Sequence, residues 1–537
     1  MKNTSKKHRF ALSLLSGILM GISFPHTGSL FFLSFVAWVP LLLLENTISE
    51  KNYKSRKVFT HAYLAFFLFN LISTWWIYFA SAGGAIMAVF ANSLLMAGVF
   101  YLFHLTKKYV GKKEGYLSLF IFWIAFEYMH FHWELSYPWL NLGNTFARVP
   151  WLVQWYSFSG ILGGSLWILI MNVLIYRLYL KIRINKLNWR SQIPMMTFAG
   201  FVLFIPAIIS LAQYFNYSEK KNPMEIVLVQ PNIDPYNEKF TSGMEGQIDK
   251  ITHLADGKIT PKTDLVMAPE TALSYEFDED QFKRYPFSAM LDSATSRWGC
   301  DLLIGASTVR AFENKNSSAS RPFTDGPGFW ESYNTSLLLN TEGEAKFLHK
   351  SKLVLGVEKI PFISMIPFLE DFSIDQGGAS GTLGIEKEPQ TLTTKNGVIA
   401  PVICYESIYG EFVAQQVRKG AEVIAIITND GWWSDTPGYK QHMSFARLRA
   451  VENRRSVARS ANTGTSGFIN QRGDIVDASL WWTPLAMRGT INKNRELTVY
   501  SQYGDFIGRS FAFVSALLLL LTFVRRFKKK FATSQTA

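Results

Sequence analysis

Cysteine is scarce in this chain of 537 residues, which contains only Cys300 and Cys404. Two cysteines exclude a disulfide framework and a cysteine-rich metal site, and they allow at most one structural disulfide. Internal repeats and low-complexity tracts are absent as well. The composition therefore leaves room for a single working thiol, provided that another feature of the chain points to one of the two cysteines.

Acidic residues are in the minority, since 41 Asp and Glu stand against 54 Lys and Arg and give a formal net charge of +13. Nucleic-acid binding is one interpretation of such an excess. The Lys and Arg residues, however, cluster in short connections between apolar runs, as membrane topology requires. We therefore expect no nucleic-acid partner.

Long apolar runs crowd the N-terminal part of the chain and return near its C-terminus, and 48% of all residues are hydrophobic. A helix needs about 20 apolar residues to cross the hydrocarbon layer of a bilayer. Eight runs approach that length and predict a polytopic α-helical membrane domain of about eight transmembrane helices. The runs are Phe10–Phe24, Leu30–Leu44, Val58–Phe79, Ile86–His104, Tyr116–Met129, Ile161–Tyr179, Met195–Phe215 and Phe506–Val524.

Basic clusters between these runs indicate their orientation. Such clusters precede the first run and follow the second, fourth, sixth and eighth, whereas the other connections carry almost no positive charge. Because Lys and Arg are retained on the cytoplasmic side of a membrane, both termini are predicted to be cytoplasmic. The long segment between the seventh and eighth runs is then predicted to lie outside.

The chain is thus predicted to have a membrane domain over residues 1–220, an outer domain over residues 221–500, and a last helix with a basic tail over residues 501–537. The outer domain alternates β-rich runs with helical stretches, which predicts a layered α/β fold. A helix is predicted over Ser444–Ser460. Strands are predicted at Glu225–Gln230, Asp264–Ala268, Leu302–Ala306, Thr335–Asn340, Val398–Cys404, Val423–Thr428 and Gly467–Asn470.

Three strings in the outer segment contain groups that could perform chemistry. Glu270 follows an apolar strand and Pro269, where a carboxylate could act as a general base. Lys350 lies in a lysine-rich stretch, and a lysine in a pocket could stabilise an oxyanion. Cys404 ends an apolar run, and a thiol becomes nucleophilic when a base or a cation lies nearby. Each has a plain structural alternative: an exposed glutamate, a solvated lysine and a buried structural cysteine.

The order Glu270, Lys350, Cys404 at the ends of successive strands resembles the carbon–nitrogen hydrolase (nitrilase) superfamily and, within it, the apolipoprotein N-acyltransferase family. Three further strings, Tyr137–Asn144, Thr428–Trp433 and Gln441–Glu452, are similar to strings of that family. The resemblance covers nearly the whole chain. It implies that the outer domain is an αββα sandwich and that the membrane part has several N-terminal helices and one C-terminal helix.

The resemblance also implies the roles of individual residues. Glu270 matches the general base, Lys350 the catalytic lysine and Cys404 the nucleophile, and no metal or cofactor is expected. Glu358, Tyr405 and Glu406 match residues that support the site. His442 could suggest a Cys–His dyad, but the resemblance gives it no such role. The stretch Leu355-Gly356-Val357 departs from the family's Pro-Phe-Gly at this place, which puts the shape of the loop in question more than its chemistry.

The activity implied is the transfer of a fatty acyl chain from a membrane phospholipid to the α-amine of an S-diacylglyceryl-cysteine lipoprotein, through a thioester on Cys404. A monomer in the bacterial inner membrane is expected, with its catalytic domain in the periplasm. A membrane-anchored amidase of the nitrilase type competes with this interpretation, because the same three residues serve hydrolysis. A transporter with an outer domain and a non-catalytic scaffold are also open interpretations of the chain.

Overall fold

The computed structural model of the protein describes residues 5–239, 241, 243–363 and 382–535. Its helices, in chain order, are α1 (Lys6–Ser23), α2 (Val39–Glu50), α3 (Arg56–Thr74), α4 (Ile77–Ala80), α5 (Ala82–Tyr109), α6 (Lys112–Met129), α7 (Tyr156–Tyr179), α8 (Ile193–Asn216), α9 (Met244–Asp256), α10 (Pro286–Trp298), α11 (Gly410–Arg418), α12 (Pro437–Asn453), α13 (Val499–Tyr503) and α14 (Phe506–Gln535).

The strands are β1 (Pro223–Gln230), β2 (Thr263–Met267), β3 (Leu273–Asp278), β4 (Asp301–Phe312), β5 (Arg321–Pro322), β6 (Phe329–Leu339), β7 (Ala345–His349), β8 (Leu392–Thr394), β9 (Gly397–Ile403), β10 (Val423–Thr428), β11 (Val457–Ala461), β12 (Gly467–Ile469), β13 (Ile475–Ala478) and β14 (Leu485–Asn492).

The described residues form two compact units. The first contains the N-terminal residues through Tyr78, the stretch Ala82–Asn216 and the chain from Asp505 onward. The second contains Phe79–Ser81 and Tyr217–Gly504.

The eight predicted apolar runs largely coincide with helices, although turns interrupt Leu30–Leu44 at residues 36–38 and Val58–Phe79 at residues 75–76. Among the described residues, five helical stretches are long and apolar enough to cross a membrane, judged by length and composition: Phe31–Glu50, Ala82–Tyr109, Tyr156–Ile184, Trp189–Asn216 and Phe506–Lys529. The helices α1, α3 and α6 are the remaining three, and charged residues at their N-terminal ends shorten the apolar part of α1 and α6. The count of eight membrane spans therefore stays a prediction.

Aromatic rings fill the centre of the first unit. Trp38, Phe66 and Trp123 are fully buried, and the ring centroids of Trp38 and Trp123 lie 4.4 Å apart in an edge-to-face arrangement. Such pairs add about 0.5–1.5 kcal/mol beyond the area that they bury. Trp38 precedes α2, Phe66 lies on α3 and Trp123 on α6. This contact holds together three elements that are far apart in sequence.

Two β-sheets form the centre of the second unit. The larger sheet has eight strands in the order β14-β1-β2-β4-β6-β5, with β3 paired to β4 and β7 paired to β6. The smaller sheet has six strands in the order β13-β12-β11-β10-β9-β8. Parallel pairs lie at the centre of both sheets, with β2 between β1 and β4, and β10 between β9 and β11. Consequently β2, β9 and β10 end at sheet edges where α/β folds usually build sites.

Alternation along β1 shows how the layers pack. Ile226 and Leu228 point into a core shared by the two sheets, whereas Val227 and Val229 point into a core formed with α9 and α10. Successive side chains of a strand face opposite sides of its sheet, so both faces of β1 are apolar. With α11 against β9 and α12 against β11, the second unit is an αββα sandwich. That part of the predicted fold class is confirmed.

Five of the seven predicted strands lie within two residues of their expected bounds, whereas β4 extends six residues beyond Ala306 and β6 begins six residues before Thr335. The helix predicted over Ser444–Ser460 is wrong at both ends. The helix α12 begins at Pro437, where Thr436 caps it, and ends at Asn453. Arg454 adopts a left-handed backbone with φ 49° and stops the helix. The chain then enters β11 at Val457. Helical spacing of Arg residues concealed this boundary because the buried Arg455 and Arg459 belong to the sheet region.

Candidate active site

Glu270 follows shortly after Met267, where β2 ends, and it is 7% exposed. Its backbone packs against Gly305 on β4, whose amide donates to the carbonyl oxygen of Pro269 at 3.1 Å. A Cβ atom at position 305 would lie 2.5 Å from the Cα of Glu270. Only glycine therefore allows the carboxylate to take this place. The structural alternative of an exposed loop glutamate at position 270 is therefore excluded.

Lys350 follows β7 directly and is only 1% exposed, so it is not a solvated surface lysine. Its ammonium Nζ lies 2.9 Å from Oε1 of Glu270 and 2.9 Å from Oε1 of Glu358. Two carboxylates thus compensate the charge of one buried cation, which a buried ammonium requires. The neighbouring Lys346 is exposed, and Lys352 and Lys359 are half-buried.

The altered loop keeps Glu358 next to Lys350. Gly356 has a left-handed φ of 84°, and its amide donates to the carbonyl oxygen of Lys359 at 2.8 Å. This tight turn brings Glu358 back so that its Oε2 accepts from the amide of Val354 at 2.8 Å. Of the three altered residues, Val357 lines the cavity, and the contact between Lys350 and Glu358 is present.

Cys404 stands at the point where β9 ends and a single 3-10 turn, Cys404–Ile408, begins. Its backbone has a φ of 50°, a left-handed conformation that costs a residue other than glycine about 1–3 kcal/mol. Strain of this kind clusters at functional sites, and Thr271, next to Glu270, is also left-handed with φ 47°. Both cysteines are free thiols. The structural disulfide that the composition allowed is thus not formed.

One cavity contains all three predicted catalytic residues, Glu270, Lys350 and Cys404. It has about 930 Å³ of empty space, part of which is open to solvent. Apolar and aromatic residues line it together with polar ones, so it can hold an acyl group beside the reactive atoms. Further lining residues are Lys239, Thr271, Tyr333, Asn334, Glu358, Leu383, Asn429, Trp432 and Trp433.

Asn334, on β6, is a site residue that the sequence did not reveal. Its Nδ2 donates at 2.8 Å to Oε1 of Glu270 and at 2.8 Å to Oε1 of Glu358. The backbone amide of Lys350 also donates to the carbonyl oxygen of Asn334 at 2.8 Å. Asn334 therefore holds both carboxylates and the lysine in one arrangement. The only signal for it in the sequence was its position at the edge of a predicted strand, which is a weak one.

Lys239 is a second buried cation in the cavity and was also not predicted. It is 5% exposed and its ammonium donates to the hydroxyl of Thr271. Burial lowers the pKa of Lys239 to about 8, against the opposing influence of Glu270 and Cys404. The residue is therefore close enough to the predicted base and nucleophile to respond to their charges.

The pKa shifts of Glu270, Lys350 and Cys404 indicate the protonation state of each residue. Burial by itself raises the pKa of Glu270, but Lys350, Asn334 and Lys239 outweigh it, so the net pKa lies below the usual value. Burial opposes the charge of Lys350, yet the carboxylates of Glu270 and Glu358 raise its pKa well above the usual range. Burial and the charge of Glu270 raise the pKa of Cys404. At neutral pH the site therefore holds a carboxylate, an ammonium and a protonated thiol.

Glu406 links the turn at Cys404 to the segment that follows Lys350. Its Oε2 accepts from the amide of Ile403 at 2.8 Å, and its Oε1 accepts from the amide of Ser351 at 2.6 Å. Burial raises the pKa of Glu406 to about 7. Tyr405 packs its ring against Tyr409 with centroids 5.5 Å apart.

His442 contacts the backbone of Cys404 and does not form the dyad that its presence could suggest. One ring nitrogen, Nε2, lies 3.1 Å from the carbonyl oxygen of Cys404 and 2.8 Å from the hydroxyl of Ser407. The other, Nδ1, lies 2.9 Å from Oδ1 of Asp430. His442 thus helps to hold the turn on which the thiol stands.

Cys404, Asp430 and His442 also bring ligand-type atoms within 4.8 Å of one another, as a metal site would. The guanidinium of Arg459, however, lies 2.5 Å from Oδ2 of Asp430. Although burial alone raises the pKa of Asp430, Arg459 and His442 lower it far below its usual range. Because the cation of Arg459 already compensates this carboxylate and would repel a metal ion, the cluster favours hydrogen bonding over metal binding.

The fold and this constellation define the class of protein. Residues 226–495, half of the chain, match the family model described as carbon-nitrogen hydrolase, and the chain belongs to that family. Residues 16–174 match a second model, described as the apolipoprotein N-acyltransferase N-terminal domain. With both parts matched in one chain, it is a member of the apolipoprotein N-acyltransferases.

Proteins named apolipoprotein N-acyltransferase are similar to the chain over almost its whole length. The one from Chlorobaculum tepidum is 29% identical over 528 residues, covering 96% of this chain and 97% of its own. The one from Geobacter metallireducens is 27% identical, with 96% of each chain covered. The one from Pasteurella multocida is 25% identical, covering 98% of this chain and 97% of its own. The similarity therefore includes both the apolar helices and the sandwich.

Proposed function

We propose that the protein transfers a fatty acyl chain from a membrane phospholipid to the N-terminal α-amine of an S-diacylglyceryl-cysteine lipoprotein. The observation that carries this proposal is the cavity in which the Lys350 ammonium lies 2.9 Å from the Glu270 carboxylate, beside the thiol of Cys404. The part of the chain that the structure describes has five helical stretches long and apolar enough to cross a membrane. Both substrates are lipids, so the enzyme must meet them in a bilayer.

In the first half-reaction, Glu270 takes the proton of the Cys404 thiol while the Sγ atom of Cys404 attacks the ester carbonyl of the phospholipid. The raised pKa of the thiol and the lowered pKa of the carboxylate make this proton transfer unfavourable before an acyl group arrives. The thiolate therefore forms only when it can attack, which protects it from other electrophiles. Lys350 and the backbone N–H of Tyr405 stabilise the oxyanion of the tetrahedral intermediate.

The intermediate collapses when the ester C–O bond breaks and Glu270 returns the proton to the departing lysophospholipid oxygen. A thioester remains on Cys404. In the second half-reaction, the uncharged α-amine attacks the thioester carbonyl, and Glu270 takes a proton from the amine. The C–S bond breaks, the proton passes to the sulfur, and an amide has formed. Lys350 keeps its proton throughout, because its raised pKa excludes it as the base.

The supporting residues act through these three groups. Glu358 shares Lys350 and Asn334 with Glu270, and Glu406 fixes the turn that presents Cys404. We further propose that the sandwich of residues 221–500 faces the periplasm of a bacterial inner membrane and that both termini are cytoplasmic, as the basic clusters indicate. Water must be kept from the thioester for transfer to prevail over hydrolysis.

Replacement of the nucleophile tests the proposal. Purified enzyme given phospholipid labelled in its acyl chain is expected to form a hydroxylamine-sensitive acyl adduct, and Cys404→Ser is expected to form none. Cys300→Ser is the matched control, because Cys300 is buried in another part of the sandwich and its pKa is raised to about 12 by burial. A thioester-type adduct on the Cys404→Ser variant would contradict the assignment.

A second assay separates transfer from the amidase alternative. The acyl-enzyme is mixed with a diacylated lipopeptide that has a free α-amine, and the triacylated product is measured against released fatty acid. The proposal predicts that the lipopeptide is acylated. Turnover of a soluble amide, together with failure to acylate the lipopeptide, would favour the amidase.

A further inference from the structure

Asn429 carries a buried amide group that the mechanism above does not use. It follows β10 directly, is 3% exposed, and lines the cavity that contains Cys404. Within the described part of the chain, its side-chain Nδ2 has no hydrogen-bond partner. Because nearly all buried polar groups of native proteins are paired, an unpaired donor in the wall of a catalytic cavity requires an explanation.

The hydrogen bonds around Asn429 fix which end of its amide is unpaired. The backbone N–H of Ile233 donates to Oδ1 of Asn462 at 3.0 Å, and Nδ2 of Asn462 donates to the carbonyl oxygen of Ile233 at 2.7 Å. Asn462 therefore has a single sensible orientation. In that orientation its Nδ2 also donates to Oδ1 of Asn429 at 3.2 Å. The acceptor of Asn429 is thus engaged, and its NH₂ group is the one left over.

The backbone of Asn429 contacts the general base. Its N–H donates to Oε2 of Glu270 at 3.0 Å, while the other oxygen of Glu270 accepts from Lys350 and Asn334. Asn429 thus contacts the base through its backbone, lines the cavity of the nucleophile and carries an unpaired donor. Such a donor can serve an acceptor that arrives only with the substrate. A carbonyl oxygen that becomes an oxyanion is such an acceptor.

We propose that the side-chain amide of Asn429 is a catalytic residue that donates a hydrogen bond to the oxygen of the acyl carbonyl in both half-reactions. This inference rests on the proposed function for the identity of the acyl donor, but the donor role applies to any acyl group carried by Cys404. Asn429 would act with Lys350 and the N–H of Tyr405. No proton is transferred by Asn429 in either step, so the balance of the reaction is unchanged.

Two substitutions separate the side chain from the backbone. Asn429→Ala removes the NH₂ group and keeps the backbone N–H that holds Glu270. Asn429→Asp keeps an acceptor for Asn462 and replaces the donor by a negatively charged oxygen. Asn494→Ala is the matched control, because Asn494 donates to the carbonyl oxygen of Arg454 at 2.7 Å and does not line the cavity.

The assay measures the rate of acyl-enzyme formation in single turnover, first with labelled phospholipid and then with a neutral nitrophenyl ester. Loss of one oxyanion donor is expected to lower the rate constant about one hundred-fold with little change in substrate affinity. Asn429→Asp should be slower still, and Asn494→Ala should equal the wild type. All variants should keep a melting temperature near that of the wild type.

Rates for Asn429→Ala within about threefold of wild type on both donors would overturn the inference, as would a loss confined to substrate affinity. The two acyl donors, phospholipid and nitrophenyl ester, distinguish failure of this inference from failure of the proposed function. If the wild type acylates Cys404 from the nitrophenyl ester but never from phospholipid, the proposed function fails. A large loss in Asn429→Ala on the ester would then still support the donor role.

Discussion

Asn334 allows the sharpest test of how Glu270, the proposed general base, is held. Its Nδ2 donates at 2.8 Å to Glu270 and at 2.8 Å to Glu358, so one amide group serves two buried carboxylates. A hydrogen bond to a charged group is worth about 1.5–3 kcal/mol. Since about 1.4 kcal/mol corresponds to a factor of ten in rate, Asn334→Ala should slow acyl-enzyme formation about ten- to one-hundred-fold.

The pH dependence of the acylation rate gives an independent test of the role of Asn334. The amide of Asn334 lowers the pKa of Glu270, so its removal raises that pKa. The base works as a carboxylate, and the acidic limb of the rate profile should therefore move to higher pH, with partial recovery of the rate in alkaline buffer. Asn334→Asp should be worse, because a third carboxyl group would stand within 3 Å of the other two.

Single-turnover acylation from labelled phospholipid between pH 5 and pH 9 measures both effects. Asn340→Ala is the control, since Asn340 lies just after the same strand, and its amide donates to Glu344 at 3.1 Å in an exposed turn. An Asn334→Ala enzyme with a wild-type rate and an unmoved acidic limb would refute the role of Asn334. A folded variant with a lower rate but an unmoved limb would refute the electrostatic part of the reasoning.

Three further outcomes are expected. Gly305→Ala places a Cβ 2.5 Å from the backbone of Glu270 and should abolish measurable acylation at a cost of about 1–3 kcal/mol in stability, whereas Gly246→Ala, which meets nothing within 4 Å, should leave both rate and melting temperature unchanged. Lys239→Met removes a cation that lowers the pKa of Glu270, so the acidic limb should move to higher pH; a limb that stays in place would exclude this influence. Lys350→Met should lose more activity than Lys239→Met, because only Lys350 lies 2.9 Å from Glu270 and is also assigned to the oxyanion; equal losses would contradict that division.

The amino-acid sequence by itself determined much of the architecture. Apolar runs of about 20 residues predicted where the helices of the first unit lie, because a run of that length is typical of a helix that crosses a membrane. The alternation of β-rich runs and helical stretches predicted a layered α/β domain, and the family resemblance implied that it is an αββα sandwich. The catalytic candidates Glu270, Lys350 and Cys404 were also accessible, since each closely follows a strand and their order is distinctive.

The helix of residues 437–453 shows a limit of such patterns. Helical spacing continues beyond Asn453, but the left-handed backbone of Arg454 ends the helix and the chain enters β11. Whether an arginine is a solvated helical residue or a buried partner of Asp430 depends on what packs around it. Arg459 proved to be the latter, and its local sequence gave no indication of that.

Only the tertiary structure decided how the site is held together. Asn334 and Lys350 contact Glu270 across sequence separations of 64 and 80 residues, and Asn429 does so across 159. Gly305 matters because the backbone of the segment that follows the neighbouring strand β2 packs against it. The local pattern of apolar and polar residues indicates whether a segment is buried, but not which residues it contacts. The partners of a buried charge are set by where separate strands end, and folding alone brings those ends together.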